Sequence, residues 1–475
     1  MLEKKDFYIN GQWVAPAKAN DFAVIDPSTE EECAVISLGG QADTDAAVAA
    51  ARAAFDGWSQ TSKAERMALI QKLAKIYDAR QEEMAQAMSM EMGAPIELSR
   101  AQQVGAGSWH IGGFLKAFEN FSFERDFTST EKTLLEPIGV CALITPWNWP
   151  MNQIILKAIP AIATGCTVIL KPSEIAPLSG HLFAEFMDEA GFPAGVFNML
   201  NGDGPGVGSQ LSSHPDVDMV SFTGSTRAGI AISKAAADTL KRVSLELGGK
   251  GANIIFEDAH PKAAKQGAIR CFRNSGQSCN APTRMLVHKS RYDEAVEMAA
   301  DVAINTHVGP ASEEGKHIGP VVSEVQFNKI QGLIEKGMSE ARLVAGGLGR
   351  PDGLNRGYYV KPTVFADVTN DMTIAQEEIF GPVLSIIPFE TEEEAIAIAN
   401  DTPYGLTNYV QTDDDDKRRR VARRLRSGMV ETNGIGFAQG SPFGGYKQSG
   451  NGREGGVFGL EEFLEVKAVS GWAAE

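Results

Sequence analysis

Residues 139–150 read GVCALITPWNWP. A glycine opens the stretch, an apolar run follows, and two prolines and two tryptophans stiffen its end. The run is short and carries β-branched residues, which predicts a strand. CTVILK, GVFNML, DMVSFTG and RVSLELGG follow it downstream and have the same texture. Helical stretches lie between them, at 152–164, 179–190 and 227–237. Strands alternating with helices predict a parallel sheet covered on both faces. Such a sheet binds ligands at the carboxyl ends of its strands. The polar signals TPWN, KPSE, FTGST and LELGG all follow strand ends of this kind.

Upstream, the N-terminal third is expected to be helical. Asp43 can cap a helix through AAVAAARAAF, and Ser62 with Glu65 forms a capping-box pattern ahead of a long helix to about Met92. Residues 119–137 read as extended and polar. Downstream, a second alternating series runs from about Asn253 to Met429 through ANIIF, RMLVH, ARLVAGG and PVLSIIPF. Helices are expected near 291–305 and 323–337, which makes a second α/β domain. The final EEFLEVKAVS partly alternates and reads as a strand pairing outside its own domain.

The 475 residues exceed what one hydrophobic core usually holds, so two or three domains are expected. Apolar residues make up 43 % and charged residues 22 %, an ordinary globular balance. No apolar run reaches the roughly 20 residues of a spanning helix. The N-terminal MLEKKDFYING lacks the apolar core of a signal peptide. A formal charge of -17 argues against nucleic acid as the main partner. The five cysteines show no CxxC spacing, and the histidines no HxxxH pair. Neither a disulfide framework nor a metal site is indicated, and a reducing cytoplasm is the expected location.

Cys279 differs from the other cysteines in its surroundings. It sits in NSGQSCN, between a predicted helix at about 261–273 and the strand RMLVH, with only Ser278 and Asn280 beside it. Local sequence leaves two readings standing: a small buried hydrophobe or a nucleophile. A nucleophilic thiol needs a base or an oxyanion donor. Glu246 of LELGGK and Asn148 of TPWNWP, both at strand ends, could supply them. Taken singly, they read equally well as a solvated strand-end residue and a turn asparagine. In FTGSTRAG, Gly224 precedes a helix start, and Ser225 could add a hydroxyl to an anion site. Lys171 and Glu174 of KPSE could meet ribose hydroxyls, or form a surface ion pair. GNGREG at 450–455 matches GxGxxG, but no predicted strand precedes it, so it is rejected as a dinucleotide fingerprint. TDDDDKRRRVARRLRSG reads as a solvated helix whose aspartates complement the macrodipole.

Together and in this order, TPWNWP, KPSE, FTGSTRAG, LELGGK, GQSCNA, EEIFGPV and SPFGGYKQSGNGRE resemble the aldehyde dehydrogenase superfamily along nearly the whole chain. The resemblance implies an α/β fold with a cofactor-binding domain (1–117 and 138–247) and a catalytic domain (248–447), each on a parallel sheet. A small bridging β-hairpin (118–137) would join the tail (460–475) for assembly into homodimers or homotetramers. It implies oxidation of a small-molecule aldehyde to the acid. Cys279 would be the nucleophile, Glu246 the base for deacylation and Asn148 the oxyanion donor. Lys171, Glu174, Gly204, Gly224 and Ser225 would hold the adenosine and pyrophosphate of the cofactor. Glu378, Phe380 and Trp147 would lie by the nicotinamide. Glu174 favours NAD, although family members with this glutamate can use NADP as well. By position, Trp149, Gln153, Ser278, Asn280, Phe437 and Phe443 would line the substrate tunnel, whose aromatic walls suit apolar or aromatic aldehydes.

Two departures stand out. Many members read ELGGKSP where this chain reads ELGGKGA, and no second cysteine flanks Cys279. The presence of Glu246 favours hydrolysis over the alternative of a CoA-acylating enzyme, whose branch typically lacks it. The other alternative, a cofactor-binding structural protein that lost the reaction, is opposed by the intact Cys279, Glu246 and Asn148.

Overall fold

Val140–Ile144 is a strand near the middle of an eight-stranded sheet. Its side chains alternate between two cores. Val140, Ala142 and Ile144 pack with Ala47 and Val48, whereas Cys141 and Leu143 pack with Ile155 and Phe183. Both faces are therefore covered by helices, as the unbroken apolar run requires. The computed structural model describes residues 1–472. Residues 473–475, the end of the expected tail segment, lie outside the described residues.

Across this sheet the strands run Gly450–Asn451, Arg242–Glu246, Met219–Thr223, Val140–Ile144, Thr167–Lys171, Phe197–Met199, Phe7–Ile9 and Gln12–Val14. From Val140–Ile144 the chain steps outward twice on one side. It then crosses back to Met219–Thr223 and Arg242–Glu246 on the other. This reversal opens a crevice at the carboxyl ends of Val140–Ile144 and Met219–Thr223. These inner strands pair in parallel.

A seven-stranded sheet runs Arg342–Ala345, Thr363–Ala366, Val383–Phe389, Arg284–His288, Ala252–Ile255, Thr407–Gln411 and Met429–Thr432. Only its Arg342–Ala345 edge is antiparallel. Glu246 ends a strand of the first sheet, and Ala252 begins one of the second. The carboxyl ends of the first sheet thus face the amino ends of the second, and the segment before Arg284–His288 carries Cys279 into that gap. Elsewhere, the tail strand Leu464–Ser470 pairs along its length with Glu131–Pro137, which also pairs with Glu124–Asp126. The aspartate-rich run starts the helix Asp415–Arg424, whose first N–H groups are capped by Asp414.

Several expectations need correction. The N-terminal third is not simply helical: short strands from Leu2–Lys4 to Glu31–Ser37 precede the first helix, Gln41–Ser59. At three to seven residues each, they are too brief to show a clear period. Asp43 lies inside that helix rather than at its cap; its carboxylate accepts from the Gly40 N–H at 2.9 Å. Ser62 and Glu65 do form the capping box, but the helix ends at Ala79 and restarts at Gln81. Arg80 breaks it (φ -113, ψ 23) and lays its guanidinium over Phe186 at 4.6 Å. The first sheet is also not wholly parallel, because Phe7–Ile9 and Gly450–Asn451 pair antiparallel with their neighbours. Gly450–Asn451 thus places the start of GNGREG on the sheet edge beside Glu246.

Gly450 has φ +118, and a Cβ there would lie 1.9 Å from the Leu245 carbonyl oxygen. Gly450→Ala is expected to destabilise the fold by more than about 1 kcal/mol, because both strain and collision oppose it. A thermal or urea midpoint equal to wild type would contradict this.

Candidate active site

The loops that leave the first sheet converge on a cleft of about 190 Å³. Trp147, Asn148, Gly224 and Ser225 line it from that side; Cys279, Glu378 and Phe380 line it from the other. Trp147 and Phe380 meet edge to face, with ring centroids 5.4 Å apart. Ser225 caps the helix Thr226–Ala236 and accepts from the Ala228 N–H. The positive end of that helix therefore opens on the cleft.

Cys279 is presented by an unusual backbone. Asn274, Ser275 and Gly276 have φ of 52, 55 and 73, three left-handed residues in succession. At non-glycine positions this costs roughly 1–2 kcal/mol each, so the surroundings must hold it. They do so through buried amides. Asn274 Nδ2 donates to the Asn148 carbonyl at 3.0 Å, and Gln103 Nε2 donates to the same oxygen at 3.1 Å. Asn148 Nδ2 donates to the Gln277 carbonyl at 3.0 Å. Gln277 Oε1 accepts from the Val322 N–H at 2.9 Å, and the Ser275 hydroxyl donates to the Gly319 carbonyl at 2.7 Å. An amide has two N–H donors. The bond to Gln277 orients the Asn148 side chain, and its other N–H has no partner among the described residues. No space is spare around this loop, since a Cβ on Gly249 would meet the Cys279 carbonyl oxygen at 2.3 Å.

Glu246 is buried, and neither carboxylate oxygen has a partner among the described residues. Burial, followed by the negative charge of Glu454, pushes its pKa well above the usual carboxylate range; Lys157 and Arg453 pull the other way. Burial also raises the Cys279 thiol, helped by the charges of Glu378 and Glu246. The resting site therefore favours a neutral thiol and a carboxyl that holds its proton tightly. Lys157 and Glu454 form a buried ion pair next to Glu246. Sequence reasoning missed it, although a lone lysine within the apolar helix Pro150–Thr164 was a signal. Lys250 is also buried, with no partner for its ammonium among the described residues; burial lowers its pKa to about 7.

Lys171 is buried at its strand end, where its ammonium donates to the Pro172 carbonyl at 2.9 Å and to the Gly202 carbonyl. Glu174 lies 3.4 Å from it. The turn Gly204–Gly208 approaches the Lys171 side chain: a Cβ on Gly208 would lie 3.9 Å from Lys171 Cε. Glu378 Oε1 accepts from the Gly249 N–H at 2.8 Å.

The expected tunnel residues are more scattered. Trp149 Nε1 donates to the Ser278 hydroxyl at 2.9 Å. Gln153 is buried, and its amide oxygen accepts from the Thr223 hydroxyl at 3.1 Å, which turns it toward the sheet. The Asn280 carbonyl accepts from the Tyr409 hydroxyl. Arg270 covers the Tyr409 ring at 4.5 Å and pairs with Glu431, a support that sequence did not reveal. Phe443 is half-buried and Phe437 exposed.

Known proteins resemble this chain along nearly its whole length. A family model described as the aldehyde dehydrogenase family matches residues 13–469. A 3-succinoylsemialdehyde-pyridine dehydrogenase from a Pseudomonas species is 51% identical over 475 residues, covering 99% of both chains. The crystal structure of an aldehyde dehydrogenase from Bartonella henselae superposes with a TM-score of 0.99 at 58% identity, covering 99% of this chain and 100% of that one. A mutant of aldehyde dehydrogenase C from Pseudomonas syringae, solved with NAD+ and octanal, gives 0.98 at 49% identity, covering 99% and 97%. A cysteine and an asparagine amide on one cleft, backed by a buried glutamate, thus occur in a chain that belongs to the aldehyde dehydrogenase family.

Proposed function

We propose the following division of labour for the NAD-dependent oxidation of an aldehyde to its carboxylic acid. Cys279 is the nucleophile, Asn148 and the Cys279 N–H hold the oxyanion, and Glu246 is the base. One observation carries this reading: the Asn148 amide is tied into the Cys279 loop by Gln277, while Glu246 stands behind with both oxygens unpartnered among the described residues.

The residues present fit a dinucleotide. The Thr226–Ala236 N-terminus and Ser225 suit a pyrophosphate beside Gly224. Lys171 and Glu174, with the nearby Gly204 turn, suit the adenosine ribose, and Glu174 repels a 2′-phosphate. Glu378 suits the second ribose, and Trp147 and Phe380 give the nicotinamide apolar walls. The chemistry that NAD supplies when bound is hydride acceptance. The protein's own task is to prepare both ends of that event. The thiol gives its proton to water, and its sulfur bonds the aldehyde carbon. The Asn148 amide and the Cys279 N–H then stabilise the oxygen's negative charge. Later, Glu246 takes a proton from water, the hydroxyl bonds the thioester carbon, and the C–S bond breaks to release the acid and restore the cysteine.

The substrate is an aldehyde with an apolar or aromatic tail. Trp149, Phe437 and Phe443 support this, as do the octanal and pyridine semialdehyde named for relatives. The two sheets support a cofactor domain (1–117 and 138–247) and a catalytic domain (248–447). The strand Leu464–Ser470, with Val466 exposed, supports assembly into a homodimer or homotetramer. No helix among the described residues is long and apolar enough to cross a membrane. Function in the cytoplasm fits a thiol that must stay reduced.

The reading is tested by following NADH with purified protein, NAD and a panel of aldehydes, without CoA. Cys279→Ala should lose more than about 10³-fold of turnover; retained activity refutes the nucleophile. Glu246→Gln should still release one NADH per site in a burst, then turn over about 10²-fold more slowly. An unchanged steady state removes Glu246 from deacylation.

The pH dependence has a definite sign. The base form of Glu246 grows as pH rises, so thioester hydrolysis should accelerate with pH. Glu454→Gln removes the like charge beside Glu246 and releases Lys157 from its partner. Both effects lower the Glu246 pKa. The rising limb of hydrolysis should therefore move to lower pH, and a limb that stays or moves upward contradicts the coupling.

A further inference from the structure

The turn that joins the two sheets seats one residue of the cleft and carries a buried charge directly after it. The Gly249 N–H donates to Glu378 Oε1 at 2.8 Å. A Cβ on Gly248 would lie 2.6 Å from Glu378 Oε2, so the carboxylate rests against both glycines. The next residue is Lys250. Its side chain is buried, and its ammonium has no hydrogen-bond partner among the described residues. Its backbone is fixed, because Arg284 Nε donates to the Lys250 carbonyl at 3.0 Å. Keeping an unpaired ammonium out of water is costly, and the chemistry proposed for Cys279, Asn148 and Glu246 gives it no task.

The surrounding charges show what Lys250 answers. Burial and then Arg284 oppose a charged Lys250, and Lys329 adds to them; Cys271 and Glu378 favour it. Burial keeps the Cys271 thiol protonated by pushing its pKa up to about 12. That leaves Glu378 as the counter-charge. Burial raises the Glu378 pKa in turn, while the Gly249 N–H, Lys329 and Lys250 bring it down. The two lysines differ in medium. Lys329 is exposed at the cleft, and its ammonium donates to the Glu378 carbonyl at 2.9 Å. Water and salt screen an exposed charge, whereas a buried one acts almost undiminished.

We infer that Lys250 is a positioning residue for the cofactor: its buried ammonium keeps the Glu378 carboxylate ionised, and through it the seat of the nicotinamide ribose. The inference rests on the role proposed for Glu378. An ionised carboxylate accepts from ribose hydroxyls with both oxygens, whereas a protonated one gives up part of that capacity. Lys250 holds its charge below about pH 7 and loses it above. Its support therefore belongs to the acid side, where Glu378 would otherwise take up a proton.

The test measures the Kd for NAD by quenching of tryptophan fluorescence between pH 5 and 9. It compares wild type, Lys250→Met, Lys250→Gln, Glu378→Gln and the double variant Lys250→Met with Glu378→Gln. Wild-type affinity should fall toward low pH. Removing the positive charge raises the Glu378 pKa, so in both Lys250 variants the fall should begin about one pH unit higher. At pH 9 their Kd should stay within about twofold of wild type. Glu378→Gln should bind weakly without an acid limb, and adding Lys250→Met should change its Kd no further. Both Lys250 variants should melt at or above the wild-type temperature, since an unpaired buried charge has gone. An acid limb that stays in place overturns the inference. So does a Kd weakened equally at every pH, or a melting temperature well below wild type in both variants, because either marks Lys250 as a support of the turn alone. Further weakening by Lys250→Met in the Glu378→Gln background overturns it as well. If Glu378→Gln binds NAD as tightly as wild type, the ribose role of Glu378 falls, and the inference falls with it.

Discussion

The carbonyl oxygen of Asn148 receives two buried side-chain amides, from Asn274 and Gln103, and the rest of the site depends on that convergence. Asn148 belongs to a loop leaving the first sheet; Asn274 belongs to the segment that enters the second. A neutral hydrogen bond contributes only about 1 kcal/mol net, but a buried amide left without a partner costs more. Mispositioning either loop would orphan several amides together. The network thus stabilises one relative position of Asn148 and Cys279 more by penalising the others than by its own strength. It also explains how Asn274 and Ser275 tolerate left-handed backbone, since their side chains are satisfied only in that turn.

Electrostatics pulls against this rigidity. A buried thiol and a buried carboxylate both resist ionisation, and the charge of Glu246 raises the Cys279 pKa further. Burial therefore keeps the protons on both groups. The Lys157–Glu454 pair tempers this: Lys157 stabilises a charged Glu246, while Glu454 opposes it. Which of the two dominates depends on their mutual pairing. A pair of opposite charges leaves Glu246 close to neutral surroundings, and burial then decides the balance.

The readable part of this chain was the part where period and punctuation coincide. GVCALIT, CTVILK, DMVSFTG and RVSLELGG became parallel strands, and TPWN, FTGST and LELGG fell at their carboxyl ends, because a strand buried on both faces leaves an unbroken apolar run. Thr407–Gln411, TNYVQ, is equally buried over most of its length, yet its polar residues hide it. The strands before residue 38 are too short for a period to emerge. Among site residues, Cys279, Glu246 and Asn148 were legible through the company of their motifs. Gln103, Lys157, Tyr409 and Arg270 were not, because each acts through a contact distant in the chain: Lys157 with Glu454, Tyr409 with Asn280 and Arg270 with Glu431 across more than 100 positions, and Gln103 with Asn148 across 45. Such pairings belong to the topology, and local pattern carries no trace of them.

That topology has a consequence for how the site comes into being. Glu246 lies on the first sheet, and its neighbours arrive from far along the chain: Lys157 from a helix before it, and Glu454 from a segment beyond the whole second sheet. Gly450–Asn451 must return to the edge strand Arg242–Glu246 before Glu454 can meet Lys157. Until it does, Lys157 is a charge inside an apolar helix without its counterion, a state that costs several kcal/mol. The packing of the helix Pro150–Thr164 is thus coupled to the docking of the C-terminal segment. The ion pair ties the stability of the first sheet, and the surroundings of Glu246, to the docking of that segment.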